Sequence, residues 1–151
     1  MAMTDADPLF VDTNVLVYAN VASAPFHTQA LSALEVAHQA GQRLGVSRQI
    51  LREFIVARTR PQTFARPATP SAVIERVRYL DEHFHVADDT SAVTDHLVKL
   101  MRDFMIGGKQ VHDANIMATL LAIDIPCLLT HNVKDFERFG DTIVIERIRG
   151  G

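Results

Sequence analysis

Carboxylates lie at points in this sequence where an apolar segment ends, and the first of them is Asp12. The stretch "LFVDTNVLVYA" places Asp12, Thr13 and Asn14 in the middle of an otherwise apolar run. Asp, Thr and Asn are common at helix N-termini, so Leu9 to Val11 are predicted to form a short buried strand that turns into a helix near Thr13. Asp12 then either caps this helix or faces a ligand beyond the strand end.

Glu53 borders the apolar stripe of another predicted helix, over residues 48–58. Ile50, Phe54 and Ala57 lie at i−3, i+1 and i+4 from it, which is the spacing of one helix face. A carboxylate at the edge of a core needs a cation, a hydrogen-bonded partner or a raised pKa. The structural alternative is pairing with neighbouring Arg52 or with a nearby backbone group.

Asp113 is placed in a similar way at the start of a third helix. Ile116, Met117 and Leu120 follow at i+3, i+4 and i+7, so Asp113 opens the apolar face of its own helix and is predicted to point inward. Favourable placement in the positively polarised first turn of a helix would explain this aspartate without any chemistry.

The fourth acid, Asp135, follows the predicted strand "CLLT" within "THNVKDF". Capping of a short helical turn is its structural alternative, and Thr130 and Asn132 could equally be turn residues. If the four acids converge, they repel one another unless a cation neutralises them, and an all-oxygen site suits Mg²⁺ or Mn²⁺ better than zinc. Hydrolysis of a phosphodiester is a natural use of such a site.

The surrounding elements alternate between strand and helix. We predict strands at 9–11, 43–47, 84–87, 127–130 and 142–146, and helices from about 13, over 27–40, 48–58, 70–82, from about 90 to 105, and over 111–124. The proline-rich segment 60–70 is predicted to be a loop that serves as a connector or a lid. This alternation favours an α/β fold with a mostly parallel sheet, because parallel neighbours require helical crossovers.

Composition limits the class of protein. The chain has 151 residues, which fits one domain over residues 1–151, and 48% hydrophobic with 22% charged residues is typical of soluble proteins. No apolar run is long enough to span a membrane. The segment "MAMTDADP" lacks the features of a secretory signal, and the single Cys127 cannot form an internal disulfide. We therefore expect a cytoplasmic protein.

Taken together, these segments resemble a known family. The chain is similar to the PIN-domain ribonucleases, specifically the VapC-type toxins of type II toxin–antitoxin systems. The resemblance spans nearly the whole chain and rests on "FVDTNVLVYA", on "SRQILREF", on "VHDANIMAT" and on "LLTHNVKDF" before the final "IVIE". It implies a PIN-like three-layer α/β/α domain with a central, mostly parallel sheet.

The resemblance also implies a Mg²⁺-dependent active site, in which Mn²⁺ could replace Mg²⁺. The implied catalytic acids are Asp12, Glu53, Asp113 and Asp135, with Asp12, Asp113 and Asp135 as metal ligands. Many relatives carry an aspartate two residues after the threonine of the last motif, where this chain has Asn132. Either Asn132 or Asp135 therefore supplies the fourth position, and Asp135 ranks first because many toxins of this type retain an acid there.

The same resemblance implies an activity and partners. Such toxins cleave single-stranded regions of structured RNA, often tRNA or ribosomal RNA, which inhibits translation. A water held by the metal attacks phosphorus in line and leaves 5′-phosphate and 3′-hydroxyl ends. Asn14, Thr130 and Asn132 would orient carboxylates or water. A cognate VapB-type antitoxin, a homodimer and no membrane association are further implications.

The formal net charge of −3 does not indicate an RNA-binding protein, but the charge is unevenly distributed. Between residues 43 and 66, Glu53 is the single acid among six arginines: Arg43, Arg48, Arg52, Arg58, Arg60 and Arg66. Arg48 and Arg52 share one helix face by their i,i+4 spacing and are predicted to bind the RNA backbone. A solvated helix face is the alternative.

His112 and His131 each lie next to a proposed active-site segment. Both could contact RNA, but a surface or capping role is predicted for them.

Two other function classes fit parts of the pattern. A phosphatase of the haloacid-dehalogenase type would use Asp12 as a covalent nucleophile, but it expects a second aspartate where Asn14 stands. A non-catalytic module that binds RNA or protein would keep the acids for structural reasons, and Asn132 in place of an acid is the reason to consider it.

Overall fold

A five-stranded parallel sheet forms the centre of the molecule. The computed structural model describes residues 7–148. The strands are β1 (Leu9–Val11), β2 (Leu44–Ser47), β3 (His85–Ala87), β4 (Cys127–Thr130) and β5 (Val144–Arg147). Their order across the sheet is β3-β2-β1-β4-β5, and every neighbouring pair is parallel. The predicted α/β class with a mostly parallel sheet is confirmed.

Helical crossovers connect these strands. The α-helices are α1 (Thr13–Asn20), α2 (His27–Gln39), α3 (Arg48–Thr59), α4 (Pro70–His83), α5 (Ser91–Phe104) and α6 (Gln110–Ala122). Helices α1 to α4 pack against one another, and α5 packs on α6. Right-handed crossovers place the first group on one face of the sheet and the second on the other, because the chain reverses its direction across the sheet between β3 and β4. The result is the predicted three-layer α/β/α arrangement.

Local sequence signals set several helix starts. The Ser47 hydroxyl accepts a hydrogen bond from the backbone N–H of Ile50 at 3.2 Å, which fixes the start of α3 directly after β2. The Thr69 hydroxyl accepts one from the N–H of Ala72 at 3.3 Å, and Pro70 occupies the first turn of α4. Each cap satisfies one of the N–H groups that the first turn of a helix leaves without an intrahelical partner.

The observed boundaries differ slightly from those predicted. Helix α6 ends at Ala122 rather than at residue 124, because Asp124 adopts a left-handed conformation with φ of 55°. Strand β5 begins at Val144 rather than at residue 142. The segment between β4 and β5, for which no element was predicted, contains a 3₁₀ turn at Val133–Asp135 and further 3₁₀ structure within Glu137–Thr142. Gly140, with φ of 60°, interrupts the latter with a kink just before the strand.

The core is centred on β1. Leu9, Phe10 and Val11 are buried on both faces, as a central strand between two helical layers requires. A Cβ at Gly45 of the neighbouring strand would lie 3.2 Å from Cδ1 of Phe10, so a glycine allows this close approach. Among residues 7–148, no helix combines the length and apolar character needed to cross a bilayer. Most of the N-terminal segment considered for an export signal lies outside the described residues.

Candidate active site

The acids are brought together at the point where the strand order reverses. Strands β1 and β4 are neighbours, yet β1 leads to β2 on one side and β4 leads to β5 on the other. Loops after two such strands diverge and leave a crevice at the carboxyl edge of the sheet, which is where parallel α/β proteins bind ligands. Asp12 follows β1, and Thr130 is the last residue of β4.

Asp12 is both the cap of α1 and a buried carboxylate. Only 6% of its surface is exposed. One carboxylate oxygen, Oδ1, accepts a hydrogen bond from the N–H of Thr13 at 2.8 Å. The other, Oδ2, accepts from the Thr130 hydroxyl at 2.8 Å and from the Asn14 amide at 3.1 Å. The two roles considered for Asp12 are therefore compatible, since Oδ1 keeps a lone pair that these bonds do not use.

Asn14 of α1 and Thr130 of β4 hold this carboxylate from two sides. Oδ1 of Asn14 accepts from the backbone N–H of His131 at 3.0 Å, so one side chain joins α1 to the chain after β4. The Thr130 hydroxyl accepts from the N–H of Asn132 at 3.0 Å while it donates to Asp12. Both side chains thus donate hydrogen bonds to Asp12, whereas Asn132 contributes its backbone N–H to this network.

Glu53 approaches from α3, and its partners differ from those considered in the sequence. Oε1 accepts from the Thr13 hydroxyl at 2.7 Å, and Oε2 accepts from the Gln49 amide at 3.0 Å. Arg52 instead faces Asp89, with its guanidinium 3.6 Å from the carboxylate. Pairing of Glu53 with Arg52 was therefore wrong, because consecutive helix residues point about 100° apart.

Gln49 is a site residue that the sequence analysis missed. It is buried, and its Nε2 donates both to Glu53 and to the carbonyl of His112, the latter at 2.9 Å. Its Oε1 accepts from the side-chain amide of Asn115 at 2.8 Å. This chain of bonds joins α3 to the start of α6 across the carboxyl edge. The available signal was a glutamine at i−4 from Glu53 within an apolar stripe.

Burial and the charge of each of the other three acids raise the pKa of Asp113. It is half-buried in the first turn of α6. Burial raises its pKa from 3.8 to about 6, and the negative charges of Asp135, Asp12 and Glu53 also raise it, while Arg138 lowers it. Coulombic effects of this kind weaken with distance, so the four acids lie near one another at this edge of the sheet.

Burial also raises the pKa of Asp12 from 3.8 to about 6. Its hydrogen bonds from Thr130, Thr13 and Asn14 favour the ionised form and lower the pKa, but they do not offset the burial, and the charge of Glu53 raises it further. Two carboxyl groups at the site therefore hold protons more tightly than ordinary aspartates do. A cation at this place would release those protons.

The donor set suits a hard divalent cation. Carboxylate oxygens, with Asn and Thr side chains beside them, are ligands that Mg²⁺ accepts. Oδ1 of Asp12 also has a lone pair that its hydrogen bond does not use. As the side chains are placed, no three acids, histidines or cysteines within residues 7–148 stand close enough together to hold an ion. The site thus has the charge and the oxygen ligands that a divalent cation needs, but its side chains lie farther apart than those around a bound ion.

Asp135 and Asn132 differ in what they offer to this site. Both are exposed near the first 3₁₀ turn, where the N–H of Asp135 donates to the carbonyl of Asn132 at 3.0 Å. The charge of Asp135 is the first electrostatic contribution to the raised pKa of Asp113, after burial. This proximity supports Asp135 as the fourth acid.

The two arginines predicted to bind RNA already have carboxylate partners. Arg48 lies 3.0 Å from Asp88 and 3.4 Å from Asp81, and Arg52 contacts Asp89. These acids belong to α4 and to the loop after β3, so both guanidinium groups tie α3 to its neighbours. A role in RNA binding stays a prediction for Arg48 and Arg52, and their ion pairs argue against it.

His112 and His131 are placed differently from each other. His112 is exposed and offers its carbonyl to Gln49. His131 is half-buried, with its ring against those of Tyr18 and Phe26. The surface or capping role predicted for His131 is therefore replaced by packing in an aromatic cluster.

Several solved structures share this fold. A chain in the structure of VapBC2 from Rickettsia felis bound to a promoter DNA fragment has a TM-score of 0.69 at 17% identity, over 92% of this chain and 97% of that one. A toxin–antitoxin complex from Klebsiella pneumoniae gives 0.64 at 23% identity, over 91% and 95%. VapC20 from Mycobacterium tuberculosis, a toxin that cleaves the sarcin-ricin loop, gives 0.58 at 18% identity, over 80% and 86%.

Sequence comparison is consistent with this fold assignment. No curated protein sequence matches the chain significantly. The family model of the PIN domain matches residues 9–141, which includes all four acids and every strand of the sheet except β5. The chain belongs to the PIN domain family.

Proposed function

We propose that this chain is a Mg²⁺-dependent endoribonuclease toxin of the VapC type, which cleaves structured RNA such as tRNA or ribosomal RNA. The observation that carries the proposal is that Asp12, Glu53 and Asp135 lie near enough to Asp113, at the carboxyl edge of the sheet, for each charge to raise its pKa. Membership of the PIN family and the fold shared with a toxin that cleaves the sarcin-ricin loop support the choice of reaction.

Each acid has a distinct part in the proposed reaction. Asp12 and Asp113 would hold the cation, with Asp135 as a further ligand. Asp12 directly follows β1, Asp113 lies in the first turn of α6, and Asp135 lies in the 3₁₀ turn after β4. When bound, Mg²⁺ would supply the positive charge that polarises a phosphoryl group and lowers the pKa of water, so that water loses a proton more easily and becomes a nucleophile.

Glu53 is suited to positioning a water or accepting its proton. Its two oxygens are held by Thr13 and Gln49, so the carboxylate cannot rotate freely. Each oxygen keeps a lone pair that these bonds do not use. A fixed carboxylate within hydrogen-bonding reach of the attacking water is what general-base catalysis requires.

The test is cleavage of labelled tRNA and ribosomal RNA fragments by the purified chain, with Mg²⁺ and with excess chelator. Asp12→Asn and Asp113→Asn should each lower the cleavage rate by more than about 100-fold. Substitution of residues that only orient metal ligands typically lowers activity about 10- to 100-fold, and loss of a ligand itself should cost more. Asp124→Asn is the matched control. Asp124 lies at the amino edge of the sheet, before β4, and its left-handed conformation tolerates asparagine.

Three outcomes would contradict the nuclease proposal. The wild-type chain could leave every RNA intact, it could cleave equally well with chelator present, or the folded Asp12→Asn variant could match the Asp124→Asn control. RNA binding without cleavage would favour the non-catalytic module, and phosphate release from a small phosphomonoester would favour the phosphatase.

Partners follow from the same proposal. An open groove of about 860 Å³ lies between α1, α2 and α4, is lined by Leu16, Leu31, Leu34 and Leu80, and contains none of the four acids. A VapB-type antitoxin with an apolar helix could bind such a groove, and a homodimer is the proposed state of the toxin. Co-expression with a VapB-type antitoxin, followed by light scattering, and light scattering of the chain alone test the two proposals. Recovery of a monomer alone would contradict them.

A further inference from the structure

Four half-buried aromatic rings lie together beside the acidic site. The Tyr18 ring centroid is 5.5 Å from that of His131, 6.1 Å from that of Phe26 and 6.2 Å from that of Phe64. The rings of Phe26 and His131 are 4.5 Å apart. Tyr18, Phe26 and Phe64 pack against the core on one side, and none of the four side chains is fully buried, so part of each remains exposed to solvent.

A tight turn carries Phe64 to this cluster. The backbone N–H of Gln62 donates to the carbonyl of Ala65 at 3.0 Å, and the N–H of Ala65 donates back at 3.4 Å. The carbonyl of Phe64 also accepts from the Ser23 hydroxyl at 2.7 Å, which ties the turn to the loop between α1 and α2. The segment predicted as a connector or lid therefore holds an aromatic ring against Tyr18.

Phe26 occupies a strained position in the same cluster. Its φ of 58° lies in the left-handed region, which is uncommon for a bulky side chain and costs free energy. The ring of His131 packs at a tilt against Phe26 and edge-on against Tyr18, and its buried Nδ1 has no hydrogen-bond partner among the described residues. A local conformation that sequence alone disfavours is thus retained at a half-exposed site.

The cluster is connected directly to the catalytic acids. His131 follows Thr130, whose hydroxyl donates to Asp12, and Asn14 contacts both Asp12 and the N–H of His131. A strand bound with its phosphate at the acids would pass these rings with the adjacent nucleotide.

Unpaired positive charge flanks the same turn. Arg60 and Arg66 are exposed on either side of Phe64 in sequence, and neither forms an ion pair within residues 7–148, in contrast to Arg48 and Arg52. Aromatic rings interleaved with basic residues are typical of surfaces that bind single-stranded nucleic acid.

We propose that Tyr18, Phe26, Phe64 and His131 form a stacking site for one unpaired nucleobase next to the scissile phosphate, with Arg60 and Arg66 contacting the adjoining backbone. This proposal rests on the proposed ribonuclease function, which supplies the RNA. A nucleobase fits better than a peptide because the rings adjoin the acids and because the nearby free charges match a phosphate backbone. The stacking site would select cleavage positions that have an unpaired base on one side.

The test measures binding separately from cleavage. Fluorescence of 2-aminopurine, placed in turn at each position of a single-stranded RNA that the chain binds, reports stacking in the presence of chelator, where no cleavage occurs. Phe64→Ala should weaken binding about tenfold, and Phe64→Trp should restore it, as expected for base–aromatic stacking. An RNA with an abasic site at the stacking position should bind the wild type and Phe64→Ala equally.

Tyr79→Ala is the matched control, since Tyr79 stacks on His83 at 4.1 Å on α4, away from the acids. In cleavage with Mg²⁺, Phe64→Ala should raise KM while kcat changes little. The proposal is overturned if Phe64→Ala binds RNA as the wild type does, if it matches Tyr79→Ala, or if it weakens only the binding of a purified antitoxin. Binding with stacking but no cleavage would contradict the nuclease function alone, whereas cleavage that Phe64→Ala leaves unchanged would contradict the stacking site alone.

Discussion

Binding of Mg²⁺ to this site should depend steeply on pH. Asp12 and Asp113 both have pKa values raised to about 6, and each must be ionised to bind a cation. At pH 5, a group with a pKa near 6 is protonated in about nine molecules of ten, so both are ionised together in about one of 100. The apparent Kd for Mg²⁺ should therefore rise about 100-fold between pH 7.5 and pH 5.

Isothermal titration calorimetry on the chelator-treated chain measures this effect directly. Titrations in buffers of different ionisation enthalpy also give the number of protons released, which should approach two near pH 5 and fall towards zero at pH 7.5. Asp12→Asn removes one of the two titrating groups. The number of protons released by this variant near pH 5 should then fall to about one. Its Kd for Mg²⁺ should rise only about tenfold between pH 7.5 and pH 5.

Asp124→Asn provides the comparison for these measurements, because it makes the same chemical change at an exposed position on the other edge of the sheet. It should leave the Kd and the proton release unchanged. A Kd that does not vary between pH 5 and pH 7.5 would refute the reasoning. So would an Asp12→Asn variant that binds Mg²⁺ with the same proton release as the Asp124→Asn control.

Three further predictions follow from the hydrogen bonds and burial at the site. The folded-state pKa of Asp12 lies above its unfolded value of 3.8, so ionisation between about pH 4 and pH 6 costs stability. The metal-free chain should gain about 1.4 kcal/mol from Asp12 at pH 5 relative to pH 7.5, which raises Tm by about 3–6 °C, and Asp12→Asn should remove that gain. Thr130→Val keeps the volume but removes a donor to Asp12, so the acid limb of the cleavage profile should move to higher pH; an unchanged limb would contradict the role of the hydroxyl. Gln49→Leu deprives Glu53 and the His112 carbonyl of a donor and should lower the free energy of unfolding by about 1–3 kcal/mol, measured with urea, against little effect of the exposed Gln39→Leu.

Local signals allowed much of this site to be predicted. Asp12 stands at a strand-to-helix turn, and the Asp-Thr-Asn sequence there is typical of a helix cap. Asp113 precedes an apolar face with helical spacing, which set its inward direction. Both signals lie within a few residues of the acid concerned, so they are visible without knowledge of the fold.

Partners that come from distant segments were not predicted. Glu53 receives a hydrogen bond from Thr13, 40 residues earlier, and Gln49 bonds to Asn115, 66 residues later. The acids that pair with Arg48 lie 33 and 40 residues away. Such contacts depend on sheet twist and on helix packing across layers, which apolar spacing alone does not encode. The sequence therefore indicated the acids themselves more readily than their partners.

The two halves of the acidic site are held with different firmness. Asp12 accepts three hydrogen bonds and Glu53 accepts two. Three of the donors, Thr130, Asn14 and Gln49, make further bonds of their own. No side-chain hydrogen bond to Asp113 or Asp135 occurs among residues 7–148. Asp113 and Asp135 are therefore the acids whose side chains can adjust when a cation binds, since hydrogen bonds oppose the displacement of Asp12 and Glu53.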